Sequence, residues 1–466
     1  MWAARGLPRY TGGVLKCREF DPAHDGEFFA ALPASAAVFV LRASSAGGEP
    51  YVSKTANLRR RLERLLGAPQ AANLGRRLSL RERVRAVEFC EVGGDFEAGF
   101  ALYRLLRAEF PQSYAQRLHL RPAPLLQLLR ENPYPRVAVS SRIRSVRAGG
   151  EYFGPFASRV EAEQYANDSL DFFLLRRCTD ELKPDPAFPG CVYSEMKMCL
   201  APCFKGCSDT RYAEEAGRVE RYLESGGHSL VVEIGRARDE ASERLEFEAA
   251  AAAHARLEKL KAVQGRIAEV VHRIDRLNGL LLQPSHRAGE IALFRIAGGM
   301  LAGPIAFDVS ARGMKAAGRA SQSVAQLTHD TTAPGETARD LASQDKTSQA
   351  AASQSVPPHS VPSRGVPTQS MHTQSMEARI HELLASVQVA PAGSAQEWME
   401  HLAILKRWYY RTNKVGEIFF EDERGALPMR RLVRAVGRVL KGEKPAGDLS
   451  ETAGDYWKFR GKEAGL

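Results

Sequence analysis

Five of the chain's seven cysteines crowd into residues 178–207, spaced Cys178-x12-Cys191-x7-Cys199-x3-Cys203 and followed by Cys207. Thiolates suit soft centres, namely zinc or iron–sulfur clusters. Two close cysteines plus two distant ones are enough to close four ligands around one centre. The spacing is not that of a zinc finger, and no histidine lies within the segment. This points to an all-thiolate site, either an iron–sulfur cluster or a zinc held by four thiolates, on Cys178, Cys191, Cys199 and Cys203. Cys207 is a spare thiol able to replace Cys203. The competing reading, small buried apolar residues, fits such dense clustering poorly.

Other residues could meet polyanions. Lys and Arg total 65 against 55 Asp and Glu, a net charge of +10 with a pI near 9.3, which favours nucleic acid or an acidic membrane face. Arg59, Arg60 and Arg64, with Arg76, Arg77, Arg81, Arg83 and Arg85, could track phosphates or simply form a solvated helix face. Trp408-Tyr409-Tyr410 could stack on bases, but it sits among Leu402, Ile404 and Leu405 at helical spacing, which favours core packing. His401 adjoins Glu400 with no nucleophile arranged nearby, so no catalysis is assigned to it. No apolar run reaches 18 residues and the start lacks a signal-peptide pattern, so no membrane partner is expected. Seven cysteines are odd for a secreted framework, so a reducing, cytoplasmic setting is expected.

The elements that must position these residues are partly visible. Ala37–Leu41 and Tyr51–Ser53 read as strands around a turn, a basic helix follows, and Ala86–Cys90 is a third strand before a helix over about 96–110. Pro-rich, irregular sequence then leads to the cysteines. From about 229 to 279 the pattern is helical, with Ile234, Ala241, Leu245, Ala249 and Ala252 on one face. Strands are expected at Ile291–Ile296 and Met300–Val309, turning at Gly298-Gly299. Residues 319–375 are rich in Ser, Gln, Thr, Ala and Pro and lack aromatics, which predicts disorder. Helical periodicity returns from 376.

Asn132-Pro133-Tyr134-Pro135, Glu151-Tyr152-Phe153-Gly154-Pro155-Phe156, Arg177-Cys178 and Cys199-Leu200-Ala201-Pro202-Cys203 are similar, in order and spacing, to the middle of the UvrC family of excision-repair proteins. The resemblance implies that the four cysteines hold a [4Fe-4S] cluster, with zinc the alternative. Ala241 to Ala250 resembles the family's UVR motif, a helical hairpin that docks on the UvrB helicase. It implies a UvrB-like partner met through Leu245, Glu246, Phe247 and Glu248, although His254 stands where an arginine–acid pair is usual. An ordinary intramolecular helix pair is the competing reading.

Residues 36–115 resemble the GIY-YIG nuclease domain at the start of UvrC. That chemistry needs a tyrosine to activate water, cations to hold phosphate and a helix-borne carboxylate to hold a divalent metal. Tyr51, Lys54 and Arg61 match as remnants of the catalytic set. The first signature has become Ala37-Val38-Phe39, so Phe39 lacks the hydroxyl, and Ser53 replaces a glycine. Leu102 stands where the family has its metal glutamate, and Glu97 lies about 140° round the helix from it. Magnesium or manganese chemistry is therefore not expected, and neither is cleavage. Phe307-Asp308-Val309-Ser310 only faintly resembles the start of the family's second nuclease. The RNase H-like and helix–hairpin–helix domains are expected to be lacking.

The expected class is α+β multidomain. It comprises an N-terminal arm (1–28), a degenerate GIY-YIG-like α/β domain (29–118), a cysteine-rich metal-bound region (119–226), a UVR helical hairpin (227–265), a small α+β unit (266–318 and 376–445) carrying the disordered insert (319–375), and a tail (446–466). The expected function is a non-cleaving DNA- and UvrB-binding paralogue of the excinuclease subunit. The alternative is an active structure-specific GIY-YIG endonuclease.

Overall fold

A computed structural model of the chain describes residues 15–45, 48–68, 80–309, 375–422 and 424–444. Arg76 and Arg77, nearly all of the 319–375 insert and the 446–466 tail lie outside them. A main body holds residues up to Val309 and from Glu382 onward, and a second unit spans Ser310–His381. The described part of that second unit is little more than the first half of a helix, α10 (Met376–Ser386), whose remainder belongs to the main body. Among the described residues no helix is long and apolar enough to cross a membrane.

The main body is α+β, as expected, and among the described residues it has three four-stranded antiparallel sheets. The first comes from β1 (Lys16–Glu19), β2 (Ala37–Ala43), β3 (Tyr51–Thr55) and β4 (Val84–Glu91), in the order β1-β4-β2-β3. Residues 16–19, read in the sequence as part of an arm, form its edge strand on β4. Ala37 to Leu41 are all buried, because β2 is central and covered on both faces. After the short α1 (Asp25–Ala30), α2 (Leu58–Leu66) starts where the Asn57 carboxamide accepts the Arg60 N–H. Leu58, Leu62, Leu65 and Leu66 then pack with Phe39 and Leu41. The other face is covered by α3 (Asp95–Glu109) through Ala98, Ala101 and Leu105.

Residues 119–176 are not irregular as the prolines suggested. After α4 (Tyr114–Leu118) come β5 (Leu125–Leu129), β6 (Arg136–Ser140), β7 (Tyr152–Gly154) and α5 (Arg159–Leu170), and β8 (His272–Arg273) completes a sheet ordered β6-β5-β7-β8. Pro133 and Pro135 fall in the β5–β6 turn, where proline is tolerated, so they punctuate the sheet rather than exclude it. The short α6 (Val192–Glu195), α7 (Asp209–Glu224), α8 (His228–Glu243) and α9 (Phe247–Gln264) follow.

The third sheet, β11-β10-β9-β12, uses β9 (Gly279–Pro284), β10 (Glu290–Ala297), β11 (Met300–Asp308) and β12 (Glu417–Phe420), backed by α11 (Ala395–Tyr409) and α12 (Met429–Lys441). The expected hairpin at Gly298-Gly299 is present, both glycines at positive φ. Phe96, Phe100 and Tyr103 of α3 share the largest core with Leu281, Phe294, Trp398, Leu402 and Trp408. Spacings of three and four residues thus give α3 two buried faces, one on each of two sheets.

Candidate functional site

The cysteine segment is held by the motifs that surround it in sequence. Asn132 accepts the Tyr134 N–H and donates to the Leu182 carbonyl at 3.1 Å. Tyr134 donates to Asp209, and Tyr212 donates to the Pro135 carbonyl while accepting the Arg176 N–H. Arg176 is buried, with its guanidinium bonded to the Tyr134 and Asp180 carbonyls and 3.6 Å from Cys178 Sγ. The sequence reading missed Arg176, because an arginine beside Arg177 and Cys178 looks like surface charge until its burial is known.

Cys191 caps α6, its sulfur accepting the Ser194 N–H while the Ser194 hydroxyl accepts the Cys191 N–H. Lys197, Ala201 and Lys205 take left-handed backbone between the cysteines, the signature of tight reversals. Cys178, Cys191, Cys199, Cys203 and Cys207 are all half-buried and unbridged. Burial pushes the Cys199 and Cys203 thiols up, and the neighbouring cysteines push the same way, so the four candidate ligands lie in one another's field. Among the described residues, however, no three His, Cys, Asp or Glu side chains are set closely enough for a single ion. The donor chemistry fits a thiolate-held centre, and Arg176 would offset part of its negative charge.

The nuclease-like residues fall into two groups. Tyr51 accepts a 3.2 Å hydrogen bond from Arg61 on the α2 side of the sheet, and Phe39 lies fully buried beside it, ring centroids 6.1 Å apart. Ser53 is paired opposite Phe39. Lys54 and Leu102 instead line a cleft of about 370 Å³ on the α3 side. Glu97 is not in that cleft. It is buried, accepts the Gly93 N–H at 2.8 Å, and burial pushes its carboxyl up to about 7. The cleft's carboxylate is Asp95, which is ion-paired with Arg411 at 2.7 Å and with Lys54 at 3.9 Å. Sequence reasoning missed this group because Arg411 is 316 residues from Asp95.

Of the candidate phosphate contacts, Arg60 and Arg64 are exposed on α2. Arg59 instead turns its guanidinium to the carbonyls of Leu32 and Ala30, just beyond and within α1. Trp408 is buried in the core, donating to the Val415 carbonyl.

The helical pattern read over 229–279 is two helices packed as a hairpin, α8 and α9, rather than one continuous face, and it stops at Gln264, beyond which lie β8 and the start of β9. α8 ends with the Glu246 N–H on the Ala241 carbonyl and the Leu245 N–H on the Ser242 carbonyl, with Leu245 left-handed at φ 60°. That paired-bond reversal normally takes glycine. Ile234 and Leu257 anchor the root in the core, whereas Leu245 and Phe247 are each 69% exposed at the tip beside exposed Glu246 and Glu248.

Comparison with known proteins bears on the middle of the chain most directly. Residues 123–222, which include all five clustered cysteines, match the UvrC/Cho excinuclease middle domain. The UvrABC system protein C of Rickettsia bellii is 26% identical over 53% of this chain and 38% of its own length. That of Sphingopyxis alaskensis is 29% identical over 50% of this chain and 35% of its own length. That of Alkalilimnicola ehrlichii is 34% identical over 32% of this chain and 25% of its own length. The chain spans roughly a quarter to two-fifths of the length of these relatives. No solved structure matches it. Residues 123–222 thus resemble a UvrC/Cho excinuclease middle domain, and up to about half of the chain is similar to UvrABC system protein C.

Proposed function

We propose that this chain is a nucleotide-excision-repair protein that binds DNA and a UvrB-type helicase without cutting DNA. The observation that carries this reading is the state of α3. A nuclease of this kind needs a carboxylate on that helix for its metal, and position 102, facing the cleft with Lys54, is leucine. Among the described residues the acid lining the cleft is Asp95, which is already ion-paired with Arg411 and Lys54. Loss of both a metal ligand and an activating hydroxyl removes general-base and electrostatic contributions worth several orders of magnitude in rate. The second reading, an active GIY-YIG endonuclease using Tyr51, Lys54 and Arg61, is favoured by the Arg61–Tyr51 contact, which keeps two of the three remnants paired.

Binding is supported elsewhere. Cys178, Cys191, Cys199 and Cys203 would hold a [4Fe-4S] cluster that ties the middle domain together. A cluster places iron and sulfide between its thiolates and so spans more widely set ligands than zinc, whose ~2.3 Å bonds bring sulfurs to about 3.8 Å. The exposed Leu245 and Phe247, flanked by acids, suit docking of the hairpin tip into an apolar site on the helicase.

The test is co-capture of a UvrB-type helicase and a damaged duplex by the purified, anaerobically prepared protein. Phe247→Asp should weaken helicase capture at least tenfold, leaving DNA binding and melting temperature unchanged. Unaltered capture would remove the hairpin tip from the account. Metal analysis of the same sample should return about four irons with sulfide, and stoichiometric zinc would replace the cluster assignment.

A further inference from the structure

We propose that the cleft between α3 and α11 is a phosphate-ester site, in which Lys54, Arg407 and Arg411 grip a DNA phosphodiester with no metal ion; this rests on the DNA-binding reading above. The three cations come from two distant parts of the chain, Lys54 from β3 and the two arginines from α11 and the turn after it. They face a single carboxylate, Asp95. Lys54 feels both arginines: burial lowers its pKa most, Asp95 opposes that, and Arg407 and Arg411 add to the lowering. Among the described residues Arg407 has no hydrogen-bond or ion-pair partner. An excess of positive charge gathered in a concavity is unfavourable until an anion enters.

The shape and chemistry select the anion. Three donors approaching from different elements need several acceptor oxygens on one group. A phosphodiester has four oxygens where a carboxylate has two, and guanidinium forks match phosphate geometry. Leu102 and Trp408 contribute an apolar wall that could take the carbon face of a sugar, and about 370 Å³ is ample for one such unit. The polar side chains are reachable, at 40% exposure for Lys54, 61% for Asp95 and 51% for Arg411. Asp95 acts as an internal stand-in for the ligand, and a phosphate must compete with it for Arg411. With leucine at position 102 and Asp95 ion-paired to Arg411 and Lys54, no free carboxylate among the described residues of the cleft is left to anchor a divalent ion, so the grip is electrostatic and leaves the phosphodiester intact.

The experiment is fluorescence anisotropy of labelled single-stranded and duplex oligonucleotides with the full chain, titrated with salt, in magnesium and in EDTA. Arg407→Ala and Arg411→Ala should each weaken binding about tenfold and lower the salt slope by about one. EDTA should change nothing. Asp95→Asn should tighten binding several-fold. That variant breaks the same ion pair as Arg411→Ala, so mere loosening of the cleft would move both variants in one direction, whereas the proposal requires opposite signs. If wild-type protein binds DNA and neither arginine variant differs from it, this site is refuted and the DNA-binding reading stands. If wild-type protein binds no DNA but inorganic phosphate or a nucleoside monophosphate raises its melting temperature, and Arg407→Ala abolishes that rise, the site stands with a small phosphate ester as occupant and the DNA-binding reading falls. Binding of neither refutes both.

Discussion

Glu97 and His401 illustrate how single buried groups set the protein's response to pH. Glu97 is buried and its carboxyl lies near 7, above its unfolded value of about 4.5. The folded state therefore holds a proton that the unfolded state has lost, and stability falls as pH rises from about 4.5 to 7. Glu97→Gln removes that penalty while keeping an acceptor for the Gly93 N–H. It should raise stability at pH 8 by at most roughly 3 kcal/mol, at about 1.4 kcal/mol per tenfold, with little effect near pH 4. His401 runs the other way. Its Nδ1 accepts the Leu301 N–H, and burial lowers its pKa to about 4. Its contribution is complete above about 6.5 and is lost as pH falls through 4. In the wild type the two slopes oppose each other between about 4.5 and 6.5. The Glu97→Gln variant should therefore show a steeper acid loss than wild type in melting temperatures measured across that window.

Leu245 sits at φ 60°, which costs a side-chain-bearing residue about 1 kcal/mol. Leu245→Gly should stabilise the fold by up to about that amount in chemical denaturation. On the proposed function it should also weaken helicase capture, so that stability and binding move oppositely.

At the scale of elements, α3 is the helix on which the account turns. Its end is fixed to α11 by a buried carboxylate, Glu400, which accepts from Tyr103 at 2.9 Å, Tyr114 at 2.8 Å and Gln396 at 2.7 Å. Arg107 pairs with Glu397 and also donates to Tyr103. Tyr103→Phe should cost about 2 kcal/mol, since the lost bond is to a charged, buried acceptor. A double-mutant cycle with Glu400→Gln should give a coupling of about 1–2 kcal/mol by denaturant unfolding, and additivity would show that the contact does not hold the elements together. A helix so committed on two faces is fixed against the C-terminal unit.

This contact could not be read from the sequence. Glu397 and Glu400 show helical spacing, but their partners Arg107 and Tyr103 lie 290 and 297 residues earlier. Local periodicity reports which face of a helix is buried, not what covers it. By contrast β2, β3, β4, α2 and α3 were legible, because apolar runs and turn residues specify them within a few residues. The middle sheet was not, since β7 has three residues and β8 two, too short for any alternation to register.

Across the whole molecule, the parts legible from the sequence are those with dense local chemistry, notably the cysteine frame and the motifs around it. Asn132 and Tyr134 were visible only as letters in a pattern until the structure showed them tying Leu182 and Asp209 together, and Tyr212, outside every motif, joins them through Pro135. Removing the proposed cluster should loosen these loops first. Cys199→Ser should strip hydrogen-exchange protection from residues 180–206 while Tyr222 and Leu260, in the core beneath, stay protected, and uniform loss across the body would argue for global unfolding instead.

The central claim is that this body holds DNA without cutting it, and strand scission tests that most directly. A labelled damaged duplex, incubated with the purified protein over a range of magnesium concentrations and resolved under denaturing conditions, should remain intact while fully bound. Magnesium-dependent scission that Arg61→Ala abolishes would contradict the account.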